Sequence, residues 1–309
     1  MDLLFLLQNI RESVSPVLTS VFMFISDAVT YGVPVAALVI YWCGNKNTGK
    51  KLFTELVYGF WFNGIMKLTA CIYRPWVRDS RLHVAPQAES TATGYSFPSA
   101  HTSIAAIGFS NLATHAKKNI WRVVSIFMMI LVMLSRMWLG CHSLADVLAG
   151  LIIGIATMLA VRIADNKLDG RSNKSLIMFV IAAVLSVISI IYIEAKPYPM
   201  DHDAAGKLIV DAADMKPDTY MGIAMILGWS LGNLIEDRWI HFSTEGTTGQ
   251  KIIRTIIGAA LFFGTFKLLK VVLGTLNPCF VKFLRIFISA LVAVDLYPWL
   301  FTKWRNRKK

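Results

Sequence analysis

Three short fragments hold the residues of this chain whose types and spacing suit chemistry on a phosphate group. Together they supply three cations for oxyanions, a hydroxyl group, an imidazole that can attack, an imidazole that can donate a proton, and a carboxylate. In chain order they are Lys67 with Arg74-Pro75, then Pro98-Ser99-Ala100-His101, and finally Ser135-Arg136 with His142 and Asp146.

The first fragment places two cations at the end of an apolar stretch. Arg74 follows Lys67 by seven positions, which is two helical turns, so the spacing predicts both side chains on one helix face that Pro75 brings to an end. Lysine offers a point charge and arginine a planar fork to phosphate oxygens. Basic side chains near a membrane surface also snorkel to the interface, and for this fragment alone that interpretation is favoured.

The second fragment leads from a loop into an apolar run. The sequence predicts Pro98 in the first helical turn and Ser99 near the helix N-terminus. Free N–H groups and the helix dipole attract anions at that position, so Ser99 is a candidate phosphate ligand and His101 a candidate proton donor. Taken alone, the fragment also fits a plain helix start followed by an interfacial histidine.

The third fragment is the most specific of the three. His142 and Asp146 are four positions apart, so the carboxylate can reach one imidazole nitrogen from the same helix face and leave the other free to attack. Arg136 precedes Gly140, where a bend would direct its guanidinium to the same phosphate. An ordinary helical pair is the alternative, but ionisable groups at membrane depth are costly and mark functional sites, which favours chemistry here.

Membrane helices must position these fragments. The chain of 309 residues is 55% hydrophobic and only 16% charged, whereas soluble domains carry about 25% charged residues. Its net charge of +12 is spread over short clusters between apolar runs and forms no single basic patch, which argues against a nucleic-acid partner. The sequence therefore predicts an all-α, polytopic transmembrane helix bundle.

Nine apolar runs are candidates for spans. Residues 3–26 are amphipathic and are interpreted as an interfacial or partly inserted N-terminal helix. The basic loops and the tail from Lys303 onwards then fall on one side, which should be cytoplasmic, and the three fragments fall on the extracytoplasmic side. Four basic residues fit this orientation poorly: Lys267, Lys270, Lys282 and Arg285. The candidate spans are about 29–43, 53–70, 98–114, 121–138, 143–163, 175–194, 219–236, 252–272 and 282–302.

We expect the chain to divide into three parts. Residues 1–194 form a membrane core with the three fragments, residues 195–218 an extracytoplasmic connecting loop, and residues 219–309 a three-helix membrane extension. Asp201-His202-Asp203 in the loop has no matching ligands elsewhere, so a solvated loop is favoured over a metal site. Of the four cysteines, Cys71 and Cys141 lie next to the fragments, and whether they form a disulfide is left open.

The three fragments resemble, in the same order, the signature motifs of the type 2 phosphatidic acid phosphatase superfamily. The resemblance covers roughly residues 30–165. It implies that His142 forms a phosphohistidine, that Asp146 orients His142, and that His101 protonates the leaving group. It also implies that no metal or other cofactor is required. The phosphate ligands that it implies are Lys67, Arg74, Ser99, Arg136 and the main-chain amides near Ala100.

The resemblance implies an integral-membrane phosphatase that acts on a lipid phosphomonoester or lipid pyrophosphate in a cell membrane. A lipid-linked phosphotransferase, or a phosphatase of a soluble phosphate ester, would use the same residues and stays an alternative. A non-enzymatic lipid-phosphate binding protein is less favoured, because His101, His142 and Asp146 are all present. The nine-span layout looks similar to the glucose-6-phosphatase and sphingosine-1-phosphate phosphatase branches.

Overall fold

The protein is mainly helical. The computed structural model describes residues 1–14, 16–203 and 205–306. No β-strand occurs in these ranges, where a single isolated bridge joins His202 and Leu208, and the all-α prediction is confirmed. The helices are α1 (Asp2–Ser13), α2 (Pro16–Cys43), α3 (Lys46–Ala70), α4 (Pro75–Arg78), α5 (Pro86–Glu89), α6 (Ala100–His115), α7 (Asn119–Trp138), α8 (Leu144–Lys167), α9 (Lys174–Ala195), α10 (Ala212–Ile235), α11 (Thr248–Leu273), α12 (Pro278–Leu291) and α13 (Tyr297–Asn306), with π-helical segments at Glu236–Ile240 and Val292–Leu296.

Several of these helices are membrane spans by length and apolarity. Five meet both requirements within the described ranges, namely α2, α7, α8, α9 and α11, and the chain is a multi-pass membrane protein. The helices α3, α6, α10 and α12 also lie where spans are predicted, but they are shorter or more polar. The count of nine spans therefore stays a prediction.

The N-terminal segment divides differently from the prediction. Instead of one amphipathic stretch over residues 3–26 and a first span from 29, α1 ends at Ser13 and α2 runs from Pro16 through Pro34 to Cys43. Asp27 lies inside α2 without interrupting it, and its carboxylate faces His101 within the protein. Only α1 remains as a separate amphipathic helix.

The chain forms two compact units, each assembled from segments that are distant in sequence. All candidate site residues belong to the first unit. The helix α10 begins at Ala212 and so occupies the last part of the interval 195–218 that is predicted as a loop. The first unit contains Met1–Val35, Phe62–Ala160 and Pro197–Met215, and the second contains Ala36–Trp61, Val161–Lys196 and Lys216–Lys309.

In the first unit, α1 fixes the end of α7. Leu4 and Leu7 are buried in one apolar cluster with Trp138. Arg11 donates through Nη1 to the Trp138 carbonyl at 2.9 Å and through Nη2 to the His83 carbonyl at 2.6 Å. These contacts hold the point from which the chain continues towards His142.

Two glycines on α8 allow it to approach the start of α6 closely. A methyl group added at Gly150 would lie 2.5 Å from the Ser99 carbonyl oxygen, and one added at Gly154 would lie 2.7 Å from the Ser103 carbonyl oxygen. Glycines four positions apart permit such close helix packing in membranes. Ser103 Oγ also donates to the Gly150 carbonyl at 3.0 Å. The N-terminus of α6 is therefore fixed against α8.

The second unit has an aromatic core and a buried ion pair. The ring of Tyr41 lies 5.3 Å from that of Trp229 and 5.0 Å from that of Phe242, both edge-on. Arg162 Nε donates to Glu55 Oε1 at 2.8 Å, and Glu55 is almost fully buried. Because a buried carboxylate needs a cationic partner, this pair constrains how α3 and α8 pack within the unit.

Two of the four basic residues that fit the predicted orientation poorly have partners within the second unit. Arg285 Nε donates to the Phe266 carbonyl at 2.9 Å, and its guanidinium lies over the Phe266 ring. Lys282 Nζ forms an ion pair with Asp218. These partners within the unit account for the positions of both basic side chains.

Candidate active site

Lys67 and Arg74 reach the site from two different local structures. The helix α3 ends at Ala70, Cys71 has a positive φ of 49°, and Arg74 is extended with φ −61° and ψ 153°. The prediction that both cations share one helix face is wrong, because α3 ends at Ala70 and Cys71 takes a left-handed conformation before Arg74 is reached. Lys67 lies on the last turn of α3, whereas Arg74 caps α4.

One loop brings these two cations together. Lys67 Nζ donates to the carbonyls of Tyr95 and Ser96, at 3.0 and 3.3 Å. Arg74 Nε and Nη2 donate to the carbonyls of Gly94 and Thr93, at 3.1 and 3.0 Å. Four successive carbonyls just before Ser99 thus hold both cations. The convergence that the sequence predicts is present, but the loop produces it and not a shared helix.

Arg74 also contacts the ring of His142. Its Nη1 donates to the Cys141 carbonyl at 2.9 Å and lies 3.2 Å from His142 Nε2. Burial lowers the pKa of Arg74 to about 10, so the guanidinium is still protonated at neutral pH and has only donors to offer. His142 Nε2 is therefore the acceptor and carries the lone pair, which places the ring proton on Nδ1.

Asp146 faces the other side of the same ring, but at a longer distance than predicted. His142 Nδ1 lies 3.8 Å from Asp146 Oδ2, which is beyond hydrogen-bond length. Oδ2 instead accepts from the Ser143 amide at 2.7 Å, while the Asp146 amide donates to Ser143 Oγ at 3.4 Å. This reciprocal pair is a capping box at the start of α8. The carboxylate therefore lies beside the ring without a hydrogen bond to it.

The surroundings of His142 favour its neutral form. The residue is 2% exposed, and burial, followed by the positive charges of Arg74, Lys67 and Arg136, holds the pKa of His142 well below its usual 6.5. A neutral ring keeps its lone pair on Nε2 at physiological pH. The arrangement suits attack by that nitrogen on an electrophilic centre.

Ser99 caps α6, and its predicted place at the helix N-terminus is confirmed. Its Oγ accepts from the Thr102 amide at 3.4 Å, and its own amide donates to the Asp146 carbonyl at 3.0 Å, which joins the second fragment to the third. Pro98 precedes the cap and does not lie in the first turn as predicted. The amides of Ala100 and His101 come before the first intrahelical hydrogen bond and are thus suited to an anion.

The bend at Gly140 is also confirmed. Gly140 has a φ of 72°, and the end of α7 forms two hydrogen bonds, from the Cys141 amide to the Arg136 carbonyl at 3.1 Å and from the Gly140 amide to the Met137 carbonyl at 2.9 Å. This is a Schellman motif, which favours glycine at the left-handed position. A methyl group there would lie 2.7 Å from the His83 carbonyl oxygen. The turn directs His142 back towards Arg74.

Two residues of α2, Ser26 and Asp27, lie next to Arg136 and His101. Arg136 is 1% exposed and donates through Nη1 to Ser26 Oγ at 3.1 Å, while its Nε has no acceptor in the part of the chain that the structure describes. His101 Nε2 lies 3.9 Å from Asp27 Oδ1. Sequence reasoning missed Ser26 and Asp27. An acidic residue inside an apolar run was the signal that would have found Asp27.

Neither the cysteines nor the acidic loop adds a metal centre to this site. Cys71 and Cys141 are both free thiols. Asp201 accepts from the Tyr73 hydroxyl at 2.8 Å, and Asp203 Oδ1 accepts from nearby loop amides. Within residues 1–14, 16–203 and 205–306, no group of three or more His, Cys, Asp or Glu side chains is placed to hold a metal ion.

The fold and the site define a class of helical membrane protein that holds a buried imidazole between fixed cations and a carboxylate. Comparison with known families agrees with this class. Residues 49–169 match the PAP2 superfamily, and residues 220–309 match the transmembrane extension of PAP2 superfamily phosphatases. The chain belongs to the PAP2 superfamily, as its three fragments predict.

The chain also has a distant curated relative. The chain is 28% identical over 122 residues to an undecaprenyl-diphosphatase from Sulfolobus acidocaldarius. The aligned region covers 40% of this chain and 57% of that relative, so the likeness extends over little more than half of the relative and lies within one part of this protein. No solved structure shows a significant match to the chain.

Proposed function

We propose that the protein hydrolyses a lipid phosphomonoester or a lipid pyrophosphate through a phosphohistidine formed on His142. The observation that carries this proposal is the contact of 3.2 Å between Arg74 Nη1 and His142 Nε2. It leaves the lone pair on Nε2 and keeps a guanidinium beside the nitrogen that attacks. A phosphoryl group approaching Nε2 would meet the cation that its oxygens require.

Phosphoryl transfer then follows in two steps. In the first, His142 Nε2 forms a bond to phosphorus, the bond from phosphorus to the leaving oxygen breaks, and His101 gives its proton to that oxygen. In the second, water attacks the phosphorus, the P–N bond breaks, and His101 takes the water proton. The products are the dephosphorylated lipid, or its monophosphate, and inorganic phosphate.

The phosphoryl oxygens would be held by cations and by helix amides. Arg74, Lys67 and Arg136 supply positive charge at the buried ring of His142, and fixed charges in a site of low polarity stabilise a transferring phosphoryl group. Ser99 and the first amides of α6, at Ala100, add hydrogen-bond donors. With this charge supplied by the chain itself, the reaction as proposed needs no cofactor.

A lipid substrate is supported by the membrane character of the chain. Five helices have the length and apolarity of spans, and the family match over residues 220–309 is a transmembrane extension. The headgroup would enter the site while the acyl or prenyl chain stays in the bilayer. From the positive charge of the loops and tail we propose that the site faces the extracytoplasmic side and that the C-terminus is cytoplasmic.

The test is phosphate release by the purified full-length protein in lipid nanodiscs containing EDTA. Phosphatidate, a sphingoid base phosphate, a polyprenyl pyrophosphate and a soluble sugar phosphate would be compared. Release from a lipid in EDTA supports the proposal. Release from the sugar phosphate alone, or transfer to an added alcohol acceptor in place of water, replaces it with the soluble-ester or phosphotransferase alternative. No release from any substrate overturns it.

A further inference from the structure

We infer that Asp27 on α2 is a positioning residue for His101, holding its imidazole in place for proton donation to the leaving group. The inference rests on the proposed function, in which His101 is the general acid. Asp27 lies outside the three fragments and outside residues 49–169, which match the PAP2 superfamily. It therefore adds a fourth segment of the chain to the site.

The contact between the two side chains is direct. His101 Nε2 lies 3.9 Å from Asp27 Oδ1, with 18% of the histidine and 35% of the aspartate side chain exposed. That distance is within ion-pair range, although it is longer than a hydrogen bond. The partial exposure leaves room for the leaving group.

The backbones that carry these two residues are held together by packing. Val29 on α2, Ala105 on α6 and Val132 on α7 form one buried apolar cluster. Ala105 lies one helical turn after His101, and Val29 lies two residues after Asp27. Because the three helices are in contact at this level, the backbones of Asp27 and His101 are held at a fixed separation.

The charges around His101 give Asp27 its importance. Arg136 from α7, Lys67 from α3 and Arg74 place positive charge around His101, with the ring of His142 beside them. Repeated positive charge opposes the protonated imidazole that a general acid must be before it reacts. Asp27 supplies the opposite charge from α2.

The two imidazoles of the site therefore each face one carboxylate. His142 faces Asp146 from α8 at 3.8 Å, and His101 faces Asp27 from α2 at 3.9 Å. His142 is more deeply buried than His101, and different surroundings push two otherwise similar groups towards different roles. In this arrangement His142 stays neutral and attacks, while His101 is kept available as the acid.

The test compares two leaving groups in Asp27→Asn and Asp27→Glu variants of the full-length protein. An alkyl phosphate leaves poorly and needs protonation, whereas p-nitrophenyl phosphate leaves readily and needs little. We expect Asp27→Asn to lower kcat/KM for the alkyl phosphate about 30-fold and for the aryl phosphate less than about 3-fold, since general acids contribute about 100-fold or more. The basic limb of the alkyl pH profile should move to lower pH, and Asp27→Glu should restore part of the rate.

Four further variants separate this inference from the proposed function. His101→Ala should show the same selective loss, and adding Asp27→Asn to it should have little further effect. Ser26→Ala removes a hydrogen bond to Arg136 and should lower kcat/KM for both substrates by the same factor. Asp2→Asn, on the exposed side of α1, is the matched acidic control and should change kcat/KM for neither substrate. Retained turnover of the aryl phosphate shows that a variant is folded.

The inference is overturned if Asp27→Asn lowers kcat/KM for both substrates equally and leaves the basic limb of the pH profile in place, or if it changes kcat/KM for neither substrate. In both cases His101→Ala would still discriminate between leaving groups, and the proposed function would stand. If His101→Ala itself fails to discriminate, the assignment of the general acid fails, and the inference about Asp27 falls with it.

Discussion

Arg74 Nη1 lies 3.2 Å from His142 Nε2, and this one contact decides which ring nitrogen carries the lone pair. Arginine can only donate, so Nε2 must accept, and the proton stays on Nδ1, on the side of Asp146. A cation is usually unhelpful beside a nucleophile, because it attracts the lone pair that must attack. Here it is in position to pass from the nitrogen to the oxygens of the incoming phosphoryl group.

Replacing the proposed nucleophile should abolish turnover. We expect His142→Ala to lower kcat by about four orders of magnitude or more, because the proposed route passes through the lone pair on its Nε2. The measurement is phosphate release, together with acid-labile labelling of the protein by a radioactive substrate. His115→Ala, at the far end of α6, is the matched control and should label normally. Near-normal turnover of His142→Ala would contradict the assignment.

Arginine at position 74 should not be replaceable by lysine. Its guanidinium reaches the Thr93, Gly94 and Cys141 carbonyls and the ring of His142 at once, and an ammonium group cannot reproduce that planar geometry. We expect Arg74→Lys to lower kcat/KM by about 100-fold. Arg78→Lys, in the exposed turn of α4, should be neutral. Equal rates for both variants would argue that charge alone matters at position 74.

The depressed pKa of His142 makes a prediction about stability and pH. Burial and nearby cations hold that pKa well below 6.5 in the folded protein, whereas the unfolded chain titrates near 6.5. Below that value the unfolded state binds a proton that the folded state does not, so stability is present above pH 6.5 and is lost as the pH falls.

Thermal unfolding in detergent at pH 7.5, 6.5 and 5.5 checks this sign. On acidification, the melting temperature of the wild-type protein should fall further than that of His142→Gln, which has no titratable group at this position. The difference between the two proteins isolates His142 from the other histidines. If the melting temperature of the variant falls as much as that of the wild type, His142 does not have a depressed pKa.

The glycine of α8 that faces Ser99 should not tolerate even a methyl group. At Gly150 that methyl would lie 2.5 Å from the Ser99 carbonyl oxygen, so α6 or α8 must shift and move Ser99 with it. We expect Gly150→Ala to destabilise the protein by about 1–3 kcal/mol and to lower kcat/KM. The matched control is Gly264→Ala on α11, where an added methyl meets no atom within 4 Å. If the two variants melt and turn over alike, the close approach at Gly150 is not essential.

Local signals in the sequence predicted several parts of the site correctly. A serine before an apolar run gave the cap of α6 at Ser99, and a glycine after Arg136 gave the turn at Gly140. Both structures depend on a few neighbouring residues, so local rules suffice. Ser143 with Asp146 is a further local signal, a capping box, which the spacing of His142 and Asp146 did not reveal.

Contacts between residues distant in sequence could not be predicted from such local signals. The helix spacing of Lys67 and Arg74 predicted one shared face, yet α3 ends before Arg74, and a loop that is distant in sequence brings the two cations together. The sequence predicted an amphipathic segment over residues 3–26 and a first span from about 29, yet one helix, α2, continues through Asp27 and brings it close to His101 of α6. Such contacts depend on which helices become neighbours, and spacing along one helix carries no information about that.

The sequence by itself determined the kinds of groups in this protein: an all-α membrane chain with cations, two imidazoles and a carboxylate in the order of the PAP2 superfamily. These properties follow from composition, hydropathy and residue identity. Only the tertiary structure decided how the groups divide their roles, because burial, the tautomer of His142 and the carboxylate that each imidazole faces depend on side chains from different helices meeting at one point.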